Sequence, residues 1–323
     1  MESDGRAKLF SAPERWAIVL AGGEGQRLRP LLRGLGVSDA PKQFCRLIGS
    51  ETLLEQTWRR VSLAVPASQT LTVLCRSHEQ HFAPFVAGLS PWNVVIQPDN
   101  RGTAPALLYG LLRIARFDPS AVVALFPSDH YVEDEVRFMA RVEQAFWAVA
   151  RDRELAVLLG MKPTEFQEGY GWIEPGHPAG DPELEIFKVR RFWEKPEREL
   201  ARTLFQCGSL WNTFVIVAPL LTLMTLIMKA LPELYAAFAR IAPRMGTWRE
   251  VHALDALYSG LASYDFSHQV LVQHPEMLAV MPLSSVGWCD LGEPNRLFEV
   301  AGRLAVAPHW AGRTAAAASA TKQ

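Results

Sequence analysis

Apolar positions in the first half of the chain gather into short β-branched runs separated by amphipathic stretches. WAIVL at 16–20, TLTVLC at 70–75, NVVIQ at 93–97, AVVALF at 121–126 and LAVLLGM at 155–161 read as strands. Between them the spacing turns helical near 51–64, near 77–87, from Thr103 onward and near 134–150. A run that is apolar at every position belongs to a strand covered on both faces, so the alternation implies an α/β fold with a parallel sheet under two helical layers. Ligands of such a sheet bind beyond the carboxyl ends of its strands.

After Met161 the rhythm changes. GYGWIEPGHPAGDP is rich in Gly and Pro, and EIFKVRRFWEKP alternates as antiparallel strands of a lid or subdomain would. LWNTFVIV returns to a buried strand, helices are expected over about 219–260, MLAVMPL at 277–283 is a last strand, and PNRLFEVAGRLAV is a closing helix. The uncharged run from Phe214 to Met228 is broken by Pro219 and falls short of the roughly 20 residues a spanning helix needs. It reads as a strand entering a helix, with Pro219 near the first turn. The expected organisation is an N-terminal extension over 1–14, one domain over 15–306 with an insertion at about 162–212, and a flexible tail over 307–323.

Composition narrows the function. With 323 residues, 49% of them hydrophobic and 21% charged, the chain can bury a substantial core. Its 33 basic and 34 acidic residues leave a net charge of -1, so there is no bulk attraction to nucleic acid or to an anionic membrane. Any phosphate site must therefore be built locally. Cys45, Cys75, Cys207 and Cys289 lie far apart with no CxxC pair, which argues against a zinc site or a disulfide scaffold and suits a reducing compartment. MESDGRAKLFSAPERW has mixed charge and no apolar signal core, so the expected location is the cytoplasm.

Candidate chemistry lies in the loops after the strands. LAGGEGQRLRP puts Ala21, Gly22, Gly23 and Gly25 directly after the first strand, with Arg27 and Arg29 beyond. Glycines let backbone N–H groups approach phosphate oxygens, and arginines add charge-assisted bonds; a plain tight turn is the competing reading. The spacing matches neither GxxxxGK[ST] nor GxGxxG. Lys42 in APKQF is a second phosphate contact or a solvated surface charge. In QPDNRGTAPALL, Gln97 offers a donor and an acceptor to a base edge, Arg101 and Gly102 occupy the loop, and Thr103 can cap the next helix. ALFPSDHYV ends a strand at Ser128 and Asp129, and VGWCDLG presents Asp290 in a later loop. Two such aspartates are the protein half of a magnesium site completed by phosphate and water, although each alone could serve a turn. Tyr170, Arg191, Glu194, Lys195 and Asn212 form a polar set suited to sugar hydroxyls and a sugar phosphate, or a solvent-facing hairpin edge.

The order LAGGEGQRLRP, PKQF, RGTAPAL, FPSDH, GYGWIEP, FWEKP, LWN, DFS and GWCDLG, running from Trp16 to about Val306, resembles the sugar-1-phosphate nucleotidyltransferases, and within them the mannose-1-phosphate guanylyltransferases. The resemblance implies a Rossmann-like, mostly parallel sheet covered by helices, with a small antiparallel sugar-binding subdomain. It implies a nucleoside triphosphate held by Ala21, Gly22, Gly23, Gly25, Gln97, Arg101, Gly102, Thr103 and Ser128. It implies a hexose 1-phosphate held by Tyr170, Gly171, Glu194, Lys195 and Asn212, with Arg27, Lys42 and Lys195 as catalytic cations. Mg2+ on Asp129 and Asp290 is the implied cofactor; neither nucleic acid nor membrane is an expected partner, and a homodimer is left open.

Several positions depart from the pattern. Gln26 replaces a usual threonine, Gln97 a frequent glutamate, Gly102 a usual asparagine, and Thr213–Phe214 a small residue and glycine. They leave glucose 1-phosphate with UTP or dTTP open as substrates, beside a catalytically silent subunit that binds a nucleotide sugar. A glycosyltransferase would show a DxD motif, and FPSDH has one aspartate.

Overall fold

The computed structural model describes residues 14–304, 308, 310 and 311. The extension expected before residue 15 and the tail expected after 306 lie almost entirely outside the described residues. The chain opens with strand β1 (Arg15–Leu20), short helix α1 (Arg29–Gly34) and helix α2 (Leu53–Val61). Then come β2 (Thr70–Cys75), α3 (Glu79–Val86), β3 (Val94–Gln97), α4 (Thr103–Ala115), β4 (Val122–Pro127), α5 (Glu135–Arg151) and β5 (Ala156–Met161). The second half holds β6 (Gly171–Pro178), β7 (Phe187–Glu194), α6 (Arg198–Gln206), β8 (Leu210–Pro219), α7 (Leu220–Ala230), α8 (Pro232–Ile241) and α9 (Glu250–Tyr258). Strand β9 (Leu278–Leu283) and helix α10 (Pro294–Arg303) close it. Helices α1 and α6 are additions to the expected set.

The sheet runs β3-β2-β1-β4-β8-β5-β9-β7-β6. Strands β3, β2, β1 and β4 are mutually parallel, β5 and β9 are parallel to each other, and β8 runs antiparallel between β4 and β5. The expected antiparallel unit is the β6–β7 hairpin, joined to the rest because β7 pairs with β9 and β6 with β8.

Two cores explain the strand runs. Ala17 and Val19 of β1, with Ala124 and Phe126 of β4, face a core built from α2, α5 and α10. Ile18, Val123 and Leu125 point to the other side, where α4, α7, α8 and α9 pack. Each strand alternates between two apolar layers, which hides the period of two in its sequence. Burial of each such Leu, Ile or Phe contributes about 1.5–3 kcal/mol. Helix α2 starts at a capping box, with Thr52 accepting from Glu55 N while the Glu55 carboxylate accepts from Thr52 N at 2.8 Å. Among the described residues no helix is long and apolar enough to cross a membrane.

The cysteines are all free thiols; Cys207 is exposed, whereas Cys45, Cys75 and Cys289 are buried. Burial pushes the Cys45 thiol up to about 11, with little thiolate at neutral pH. Titration of the native chain with an aromatic disulfide reagent is expected to modify Cys207 promptly and the other three only after denaturation.

Candidate active site

The carboxyl ends of β1 and β4 meet where the strand order reverses, β1 being flanked by β2 and by β4. Such a reversal opens a crevice above the sheet. There lies a cavity of about 420 Å³, and Gly22, Gly23, Arg27, Gln97, Gly102, Thr103, Ser128, Asp129, Tyr170, Gly171, Glu194, Lys195, Asn212 and Asp290 all reach its surface. Segments nearly 270 residues apart in sequence thus converge on one space, Gly22 at one end and Asp290 at the other.

The glycine loop is held from behind. Gln43, 1% exposed, donates its amide to the carbonyls of Ala21 (3.1 Å) and Gly23 (2.7 Å), and Asn100 donates to that of Gly22 (3.2 Å). With its carbonyls tied back, the loop has N–H groups at Gly22, Gly23 and Gly25 that meet no acceptor among the described residues. That is the arrangement of an anion nest. Gly25 has φ +61, and a Cβ there would lie 3.0 Å from the Lys42 nitrogen, so the loop seats directly on the Lys42 segment.

Lys42, expected on a nucleotide phosphate, is buried in the wall behind the cavity. Its ammonium donates to the Asp290 carbonyl at 2.5 Å and lies 3.1 Å from Asp129 Oδ2. It joins the end of β4 to the loop after β9. Ala21, Gly25 and Arg101 also stay off the cavity surface, Arg101 pairing with Asp99 at 3.0 Å.

Asp290 is held on one oxygen. Its Oδ1 accepts from Arg296 Nη1 (2.7 Å), Gly292 N (2.9 Å) and the Tyr170 hydroxyl (3.1 Å). Burial pushes its carboxyl up, but Arg296 and the nearby cations outweigh that, and the pKa lies below the usual carboxylate range. Asp129 gives Oδ2 to Lys42, while Oδ1 stands 3.7 Å from His130 Nε2. Burial lowers His130 to about 4, so it is neutral at physiological pH.

At the other end Gly171, Glu194 and Asn212 crowd together: a Cβ on Gly171 would lie 2.9 Å from Glu194 Oε2 and 3.2 Å from Asn212 Cβ. Glu194 pairs with Lys195 at 3.0 Å, and burial raises its pKa despite that partner. Lys195 has φ +46, in the left-handed region, and lines the cavity. Arg191, read with this set, is exposed and lies over the Trp193 ring instead.

Two departures acquire a physical reason. Phe214 has φ +64, the left-handed region that glycine occupies without steric cost, and its ring lines the cavity and meets Phe266 edge-on at 6.2 Å. Gly102 has φ +88, and a Cβ there would fall 2.3 Å from the Tyr264 carbonyl oxygen. The 264–267 loop is strapped onto this turn through Tyr264 N to Arg101 O, Ala104 N to Tyr264 O, and Phe266 N to Thr103 Oγ1. The expectation that Thr103 caps α4 is corrected here: Gly102 holds the cap position, and the Thr103 hydroxyl is spent on Phe266 N. Asparagine is excluded at 102 because the strap leaves no room for a side chain.

Sequence reasoning assigned no role to Gln43, Asn100, His130, Asp265, Ser267, Trp288 or Arg296. Asp265, Ser267 and Trp288 sit inside the quoted DFS and GWCDLG motifs and line the cavity. Arg296 carried one signal: a cation on the buried face of an amphipathic helix, 5% exposed.

The nucleotidyl transferase family model matches residues 16–305. The chain belongs to the nucleotidyl transferase family. It is 29% identical over 286 residues to a xanthan biosynthesis protein of Xanthomonas campestris, covering 88% of this chain and 58% of that protein. It is 30% identical to a mannose-1-phosphate guanylyltransferase of Sinorhizobium fredii, over 87% of this chain and 54% of the relative. The chain therefore spans little more than half the length of the curated relatives it matches. Among solved structures, one described as a mannose-1-phosphate geranyltransferase of Thermus thermophilus superposes with a TM-score of 0.73 at 28% identity, covering 86% of this chain and 76% of that one. A UDP-glucose pyrophosphorylase bound to UDP-glucose shares the fold at a TM-score of 0.54 and 12% identity, over 88% of this chain and 96% of that one. Family members act on nucleoside triphosphates and sugar phosphates.

Gly102→Asn tests the strap. It should lower the thermal midpoint by the equivalent of about 2 kcal/mol or more, since a Cβ must displace backbone. Unchanged stability would mean that the 264–267 loop does not seat on this turn.

Proposed function

We propose that this chain transfers a nucleotidyl group from GTP to mannose 1-phosphate, releasing pyrophosphate. The observation that carries the reading is one cavity lined by a nest of unpaired N–H groups, the Glu194–Lys195–Asn212 group and two aspartates. Relatives named as mannose-1-phosphate guanylyltransferases in Salmonella typhimurium and Sinorhizobium fredii, at 26% and 30% identity, support the choice of sugar and base. In the same proposal the enzyme works in the cytoplasm, where a chain with free thiols is stable.

A phosphate oxygen of the sugar phosphate attacks the α-phosphorus, a P–O bond forms, and the bond to pyrophosphate breaks. The attacking group is already anionic, so no general base is required. The protein's task is to align two polyanions and offset their repulsion. The glycine loop holds the triphosphate, Arg27 faces the departing pyrophosphate from the cavity rim, and Lys195 orients the sugar phosphate. Glu194, Asn212 and Tyr170 bind sugar hydroxyls, and Gln97 with Ser128 borders the base and ribose. Lys42 acts from behind by holding Asp129 and the Asp290 loop in place.

Asp129 and Asp290 suit a divalent cation. Among the described residues no group of three or more His, Cys, Asp and Glu converges, and each aspartate has one oxygen engaged by a cation and one without such a partner. Two carboxylate oxygens with room for phosphates and water match the habits of Mg2+, which would neutralise charge on the triphosphate. Asp129 and Asp290 would hold it.

Pyrophosphate release measured over four nucleoside triphosphates and several hexose 1-phosphates should be highest for GTP with mannose 1-phosphate. No release with any pair would favour a silent subunit. Asp129→Asn preserves an acceptor for Lys42 and should cut turnover about 10²–10³-fold with little loss of stability. Phe214→Gly should change KM for the hexose phosphate several-fold while leaving KM for the nucleotide near its original value; an equal change in both would remove Phe214 from the sugar end.

A further inference from the structure

Behind the cleft lies a second cavity of about 440 Å³. Tyr170 and Trp288 line both spaces and form their common wall. Trp211 and Arg296 complete the inner surface of the rear cavity, and Lys162 and Arg303 stand at its mouth.

Two donors on residues of its wall lack acceptors. The indole N–H groups of Trp211 and Trp288, in side chains 6% and 7% exposed, are buried with no hydrogen-bond partner. An indole nitrogen can only donate. Lys162 and Arg303 are exposed, and neither has a carboxylate within 4.0 Å among the described residues. Glu165 and Glu299 also line the space, the first accepting from the Gln167 amide at 2.5 Å. The rings of Trp211 and Trp288 flank that of Tyr170, with centroids 4.8 and 5.3 Å from it and planes tilted by 48°, so the wall they share is aromatic.

Arg296 links this cavity to the chemistry. Its guanidinium lies 4.0 Å over the Tyr170 ring, with Nη1 on Asp290 Oδ1 at 2.7 Å and Nη2 on Gln167 Oε1 at 2.9 Å. One planar cation therefore borders the rear space and holds the carboxylate assigned to the divalent cation in the cleft.

We propose that the rear cavity binds a small phosphate monoester, its ring on the aromatic wall and its phosphate toward Lys162 and Arg303, and that the bound anion acts on the cleft through Arg296. An anion in the rear cavity adds negative charge on the Arg296 side of Asp290 and draws the guanidinium away from that carboxylate. Both effects favour a divalent cation at Asp290. Linkage makes the coupling reciprocal, so the cation tightens the anion in turn. The effect on the cleft rests on the nucleotidyl-transfer reading; binding in the rear cavity does not.

The test is calorimetric titration of the full chain with glucose 6-phosphate and, separately, inorganic phosphate. Two molecules of glucose 6-phosphate should bind per chain. The double variant Lys162→Ala/Arg303→Ala, altered only at exposed positions, should lose one and keep the other, whereas Lys195→Ala should do the reverse. Tighter binding of glucose 6-phosphate than of phosphate at the rear site assigns a sugar phosphate; equal binding assigns free phosphate. Mn2+ affinity of the Lys195→Ala chain, read by electron paramagnetic resonance, should rise on the order of five-fold with the anion bound. That rise should vanish in Arg296→Met, whose circular dichroism and thermal midpoint establish that it folds. A single anion site that is lost in Lys195→Ala and untouched by Lys162→Ala/Arg303→Ala overturns the proposal, as does an unchanged Mn2+ affinity. Failure of the substrate panel with rear binding intact would sink the nucleotidyl-transfer reading alone.

Discussion

A buried ammonium joining two distant segments is the contact on which the rest of the site depends. Lys42 touches the Asp129 carboxylate after β4 and the Asp290 carbonyl after β9, 161 positions apart, and so sets both aspartates at one cavity. A lysine with 8% side-chain exposure is costly to bury unless paired, so the pairing is enforced by desolvation. Gly25 is pressed against the same segment from the other side, which couples the anion-binding loop to the carboxylates. An error in seating Lys42 would therefore displace the phosphate nest and both aspartates together.

The site is organised in depth. The side chains at the cavity surface are held in place by a second set of groups: Gln43 ties back the glycine loop, Lys42 holds Asp129, and Arg296 holds Asp290. The supporting groups satisfy carbonyls and carboxylates from within, leaving N–H groups and free carboxylate oxygens facing the cavity. In a chain of net charge -1, cations and N–H donors are thereby concentrated where the sheet order reverses.

Most strands and their carboxyl-end loops were legible in the sequence, because runs such as AVVALF and LAVLLGM permit little besides a doubly covered strand. The antiparallel course of β8 was not, since a buried strand looks alike in either direction. Helix α1 escaped because six residues with a proline at the start carry too little periodicity. At the site, glycines and acidic residues at strand ends announced themselves. Lys42 read as a phosphate contact, but its burial behind the cavity depends on contacts some 250 residues away. Thr103 as a cap was a sound local reading defeated by a tertiary partner, the Phe266 N–H. Gly102 and Phe214 looked like departures until backbone angles of +88° and +64° showed what each position demands.

In the proposed reaction Asp129 and Asp290 would share one divalent cation, their spacing set by Lys42. The most direct measurement is Mn2+ binding to the chain in the presence of GTP, followed by electron paramagnetic resonance in the wild type and in Asp129→Asn and Asp290→Asn. One tight Mn2+ per chain is expected, weakened to a similar degree by either substitution. Two independent ions, each lost with only one aspartate, would contradict it.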